Sequence, residues 1–182
     1  MEVQGLAAAK PRPWLVASGC NALTLPNDPA PEVDLRVFFI AATYGTRAQL
    51  AALLKVQPEA VAALEEARQL FSILDASRPQ PLYGLFQGLE GVAGMPLSQV
   101  LGAFYRAIDA GIAFMGNRDI ASFFRTPTRM LAWTTPLEVL LGHRLYDVMP
   151  DPEASWLMLQ PDQFRLGAVL GAVKDELQHR RT

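Results

Sequence analysis

The chain has 182 residues, a formal net charge of −2, 51% hydrophobic and only 19% charged residues. That length can bury a sizeable core, and the apolar excess over an ordinary soluble domain predicts a large core together with some apolar surface kept for a partner. Near balance of acids and bases argues against strong nucleic-acid contact, whose affinity comes from clustered Lys and Arg. The best basic trio, Arg118, Arg125 and Arg129, reads as a solvated helix face.

Cys20 is the single cysteine, so an intramolecular disulfide is excluded and a cysteine-based metal cluster is not expected. The opening MEVQGLAAAKPRPW lacks the basic and apolar regions of a signal peptide, and no apolar run reaches membrane-helix length. The KDEL at Lys174–Leu177 precedes QHRRT, so it is not a retention signal. A cytoplasmic protein is expected.

Residues 1–32 carry prolines at 11, 13, 26, 29 and 31, which rule out a long helix and suggest an extended arm. The apolar run LRVFFIAATYG after Asp34 is read as a helix. Thr46-Arg-Ala-Gln49 is a capping-box pattern that opens a helix through Leu54, burying Leu50, Leu53 and Leu54. Pro58 suits the first position of the next helix, PEAVAALEEARQLFSIL, with Val61, Leu64, Phe71 and Leu74 on one face. Together 33–78 form a helix–turn–helix-like subdomain, and 79–96, rich in Gly and Pro but with large apolar residues, an ordered connection with one short helix around Leu82–Gln87.

The rest, 97–182, is expected as a second helical domain. A long helix at Leu97–Met115 is followed by a short one, capped by Asn117 and stopped before Pro127. Thr135-Pro-Leu-Glu138 combines a cap, a first-turn proline and a glutamate at the third position, and Gly142 is placed to end that helix. Asp151-Pro152-Glu153 opens another, and Pro161-Asp162 the last, with Leu166, Val169, Leu170, Val173 and Leu177 on one face. The fold class is therefore all-α.

Chemistry is sparse. His143 and His179 are far apart, without metal-ligand spacing, and His143 is read as stabilising a helix C-terminus. No nucleophile motif surrounds Cys20 or the serines, and glycines 84, 88, 91 and 94 match no phosphate loop. The pairs Glu65-Glu66 and Asp175-Glu176 read as solvated helix faces. No enzyme, metal or cofactor is expected. Phe104, Tyr105, Phe114, Phe123, Phe124, Trp133 and Trp156 read as core, with one or two left as anchors for a partner.

Gln49–Leu64 follows the helix–turn–helix pattern. A DNA reader would contact bases and phosphates from the second helix, where Gln57, with Arg47 nearby, is the candidate. Glu59, Glu65 and Glu66 would repel phosphates, so DNA binding is the alternative. An apolar ligand pocket among the Phe residues is a further one.

Across Ser98–Gly142 the order Met115-Gly116, Asp119, Ala121, Phe123-Phe124, Pro127, Leu131, Pro136, Leu137, Leu140-Leu141 and Gly142 resembles the toxin-binding domain of antitoxins of the Xre/MbcA/ParS type. The family's Trp-Leu is Phe123-Phe124 here and its Gly-Gly is Ala132-Trp133, which alters the turn between the two short helices. The resemblance implies a dimeric, non-enzymatic antitoxin that occludes the active site of a cognate toxin of the NAD-consuming RES type. Carried onto this chain, Phe123, Phe124, Leu131, Trp133 and Leu137 would form or support the docking surface. The tail Gln178–Thr182 could reach an anionic pocket through Arg180 and Arg181.

Overall fold

A computed structural model describes residues 35–145 and 151–180. The arm at 1–32, Cys20 and Arg181 lie outside the described residues. Eight α-helices are present among them: α1 (Leu35–Ala42), α2 (Arg47–Leu54), α3 (Pro58–Glu66), α4 (Met95–Asp109), α5 (Asn117–Arg125), α6 (Pro136–Leu141), α7 (Pro152–Met158) and α8 (Asp162–His179). The strands β1 (Tyr44–Gly45) and β2 (Tyr83–Gly84) form a two-residue antiparallel pair. The fold is all-α apart from this ribbon.

Helix starts fall where local chemistry puts them. Thr46 accepts from the Gln49 amide while Gln49 Oε1 accepts from the Thr46 amide at 2.8 Å, and the same reciprocal pair joins Thr135 and Glu138. Lys55 closes α2 in the left-handed conformation at φ 57°. Gly142 closes α6 at φ 75°, and a Cβ there would lie 2.8 Å from the Arg165 guanidinium. Arg165 serves the chain at the ends of α6 and α7, donating to Leu140 O, Met158 O and Gln160 O.

Three expected elements are shorter or capped differently. The helix expected to reach Leu74 stops at Glu66, because Arg68 turns left-handed at φ 57° and Gln69 and Leu70 close back on Leu64 O. Downstream backbone is claimed elsewhere: Ile73 pairs with Leu82, and the Gln87 carboxamide both accepts from Phe71 N and donates to Phe71 O, each at 2.9 Å. Phe71 is thus buried while Leu74 is 76% exposed, whereas one helix would have put both on one face. The long helix ends at Asp109 rather than Met115, with Gly111 left-handed at φ 66°. The cap of α5 is Gly116, whose amide donates to Asp119 at 2.9 Å. Asn117 instead donates to Ser72 O at 2.8 Å and accepts from the Tyr105 hydroxyl at 3.2 Å.

The core is continuous through the segment 79–96. Tyr83, Phe86 and Gln87 from it are fully buried, and Phe86 packs on Phe71 and on Phe124 at 5.1 Å. The turn Leu85–Gly88 presses so close to α2 that a Cβ on Gly88 would lie 2.7 Å from Leu53 Cβ. Helix α8 packs on α4 and α6 with Leu166, Val169, Ala172 and Val173 inward. Arg125, read in the sequence as solvated, lies over the Tyr44 ring at 4.4 Å and donates to Ala41 O at 3.1 Å, tying the end of α5 to the end of α1.

Glu138 is the buried charge on which this layout turns. It is only 5% exposed, and its carboxylate accepts from Thr135 N, Thr135 Oγ1 and Leu145 N at 2.9, 2.9 and 3.0 Å. Removing it leaves buried donors unanswered, which costs about 2–4 kcal/mol. Urea unfolding should therefore place Glu138→Ala well below the parent, with Glu138→Gln between them. The exposed Glu66→Ala should stay within about 0.5 kcal/mol.

Candidate functional site

Between the end of α5 and the start of α6 the chain folds into a closed turn. Thr128 N donates to Thr134 O at 3.1 Å, Trp133 N to Thr128 O at 3.0 Å, and Thr134 N to Leu131 O at 3.0 Å. Pro127 enforces the exit from α5, and a short 3₁₀ turn, Arg129–Leu131, carries the chain round. Ala132 and Trp133 then both adopt left-handed backbone, at φ 52° and 60°. Two successive non-glycine residues in that region are uncommon, and each costs roughly 1–2 kcal/mol.

The turn buries one apolar residue and displays two. Leu131 is fully enclosed, while Met130 is 57% and Trp133 68% exposed. Beside the ring lies a cavity of about 470 Å³, lined among others by Phe123, Arg129, Trp133, Glu176 and Arg180. Its lip is charged on both sides: Arg180 donates to Glu176 Oε1 at 2.6 Å and to Asp119 Oδ1 at 3.0 Å. The Gly116 amide first, then Arg180, hold the Asp119 carboxyl below its usual range against the effect of burial, and Glu176 raises the Arg180 guanidinium.

The residues expected to dock a partner separate into two groups. Phe124, Leu131 and Leu137 are sealed inside and Phe123 is nearly so, with Phe104, Phe123 and Phe124 packed edge to face at 5.0 and 5.7 Å. Exposing one such side chain costs about 2–3 kcal/mol, so these four can only support a surface from beneath. Trp133 alone of the five is presented. Arg180 is not part of a free tail either, since α8 runs to His179 and its guanidinium is held by two carboxylates. Phe104 and Phe124 fill space in the core, while Phe123 also borders the cavity beside Trp133.

The DNA candidates sit as the helix–turn–helix layout places them. Gln57 is the exposed cap of α3, and Val61 is buried against α2. Arg47 is exposed and donates through Nε to the Tyr83 hydroxyl at 3.3 Å. Glu59, Ala63 and Glu66 make the outer face of α3, a face that repels phosphates. Among the described residues no group of three or more His, Cys, Asp or Glu converges as a metal site, and no helix is long and apolar enough to cross a membrane.

Sequence reading missed a polar cluster that only the folded chain assembles. Glu65 accepts from Ser72 Oγ and, at 2.6 Å, from the Tyr83 hydroxyl. Burial and then Glu65 push the Tyr83 phenol up. Nothing in the spacing of 65, 72 and 83 signals this meeting, because the chain reverses at Arg68.

The left-handed pair predicts a stability response. Ala132→Gly removes the Cβ penalty at φ 52°, offset in part by the entropy of a more flexible unfolded chain. Thermal unfolding should put this variant level with the parent or up to about 1 kcal/mol more stable, where a glycine in an ordinary helical position would destabilise.

The chain matches no protein-family model, no curated protein and no solved structure.

Proposed function

We propose that the chain is a non-enzymatic, partner-binding protein of antitoxin type, which covers a cognate protein toxin with the surface around Trp133. The observation that carries this reading is the exposed indole on a turn whose backbone is held in an unfavoured conformation. Large aromatics are the usual anchors of protein interfaces, and strain of this kind persists where the surroundings over-determine it. Met130 widens the apolar patch, and the Arg129, Arg180 and Glu176 rim supplies polar complementarity around it.

The order of residues across Ser98–Gly142 supports an antitoxin rather than another binder, through its likeness to the Xre/MbcA/ParS toxin-binding domain. On that reading the partner is a RES-type toxin, the mechanism is occlusion of its active site, and a homodimer presents the surface. Where that family carries Gly-Gly, this chain has Ala132-Trp133, both left-handed, with the Trp133 side chain exposed on the turn. The docking set is then Trp133 with Met130 at the surface, over Phe123, Phe124, Leu131 and Leu137. A DNA-reading role for α2 and α3 has a suitable turn at Lys55 but the wrong charge on its outer face.

Trp133→Ala tests the reading without disturbing the core. Co-expressed with the product of the neighbouring reading frame, the parent chain should copurify with it and rescue growth. The variant should fold normally but bind at least about thirtyfold more weakly, the loss expected of an interface anchor. Equal binding by the variant would reject Trp133 as the anchor.

A further inference from the structure

A second cavity, about 750 Å³, opens where the hairpin through Ile73 and Leu82 meets the start of α5. Its lining includes Arg47, Glu65, Ser72, Leu74, Pro81 and Arg118, and its volume is that of a small-molecule site. The reading of Trp133 makes no use of it.

The charges lining it are unequally satisfied. Its acids are already answered: Glu65 accepts from the Ser72 and Tyr83 hydroxyls, and Asp119 from the Gly116 amide and Arg180. Asp75, next to Arg118 in an adjoining cavity, is answered by the Ser77 amide and hydroxyl at 3.0 and 2.8 Å. Its bases keep more open donors. Among the described residues Arg47 hydrogen-bonds through Nε alone, at a long 3.3 Å to the Tyr83 hydroxyl, and Arg118 through Nη2 alone, at 3.1 Å to Leu74 O. Glu65 and Asp75 lie near them as charges but not as hydrogen-bond partners. Most N–H donors of both guanidiniums therefore remain open, in the fork geometry that suits carboxylates and phosphates. Beside them Leu74, 76% exposed, and Pro81 offer an apolar wall.

We propose that this cavity binds a small molecule with an oxyanion, carboxylate or phosphate, on an apolar body. The open donors of Arg47 and Arg118 take the oxyanion, and Leu74 and Pro81 take the apolar part. Glu65 holds the Ser72 and Tyr83 hydroxyls in place, and Tyr83 in turn orients Arg47. Charge-assisted bonds of this kind are about twice as strong as neutral ones, and they separate this site from a merely wet crevice.

The test is a titration of the full ¹⁵N-labelled chain, at constant low ionic strength, with inorganic phosphate, phenyl phosphate and benzoate. Saturable shifts are expected around Arg47, Ser72 and Arg118, with phenyl phosphate several-fold tighter than inorganic phosphate because of the apolar wall. Benzoate tells a carboxylate preference from a phosphate one. Arg47→Gln and Arg118→Gln should each weaken binding about tenfold, with dispersed spectra confirming the fold, while Lys174→Gln on α8 leaves it unchanged. No saturation by any probe, or binding that survives both arginine substitutions, overturns the proposal. These readouts are independent of any partner at Trp133.

Discussion

The hydrogen-bonded closure between Thr128 and Thr134 is the constraint on which the surface depends. Once Pro127 ends α5 and Thr135 caps α6, the intervening residues must reverse within one tight turn. Leu131 is drawn inward, and the backbone closes with Ala132 and Trp133 left-handed. The indole stands in solvent beside the cavity that it borders. Burial of Phe124, Leu131 and Leu137 and the anchored carboxylate of Glu138 fix the turn from beneath. Packing energy and surface display are thus two faces of one piece of backbone.

Two buried polar groups do for irregular backbone what helix bonds do elsewhere. Gln87 answers Phe71 as a neighbouring strand would, and Glu138 answers the amides of Thr135 and Leu145. Unmet groups at such depth cost far more than an average hydrogen bond returns, so both side chains specify where the chain leaves regular structure. Those departures are also where the cavities form. Asp119 lines one and, through its bond to Arg180, touches the other.

Local chemistry was legible in the sequence. The starts of α2, α6 and α7 follow from Thr46, Thr135 and Asp151, because a cap and its amide lie within one turn of each other. That of α3 follows from Pro58, whose missing N–H costs nothing at a first position. Endings set by tertiary competition were not. Arg68 carries no turn signal, yet α3 stops there because Gln87 and Leu82 claim the backbone beyond it. The apolar spacing runs on through Ile112 and Met115, yet the helix ends at Asp109 and Gly111 turns left-handed. Asn117 looked like a cap but serves Ser72 and Tyr105. The apolar docking candidates were recognisable as a group, but spacing cannot say which of Phe123, Leu131 and Trp133 faces out. The closed turn decides that, and the Arg47, Glu65, Ser72 and Tyr83 cluster needed the whole fold.

The most direct measurement is ¹⁹F NMR of the full chain labelled with 5-fluorotryptophan, the Trp133 resonance being assigned by Trp133→Phe. In the free chain that signal should respond strongly to a soluble paramagnetic quencher, as a solvent-facing ring does. On addition of the neighbouring gene's product it should shift and become protected from the quencher. A stable complex in which Trp133 stays unshifted and accessible, or no complex at all, would contradict the role given to this turn.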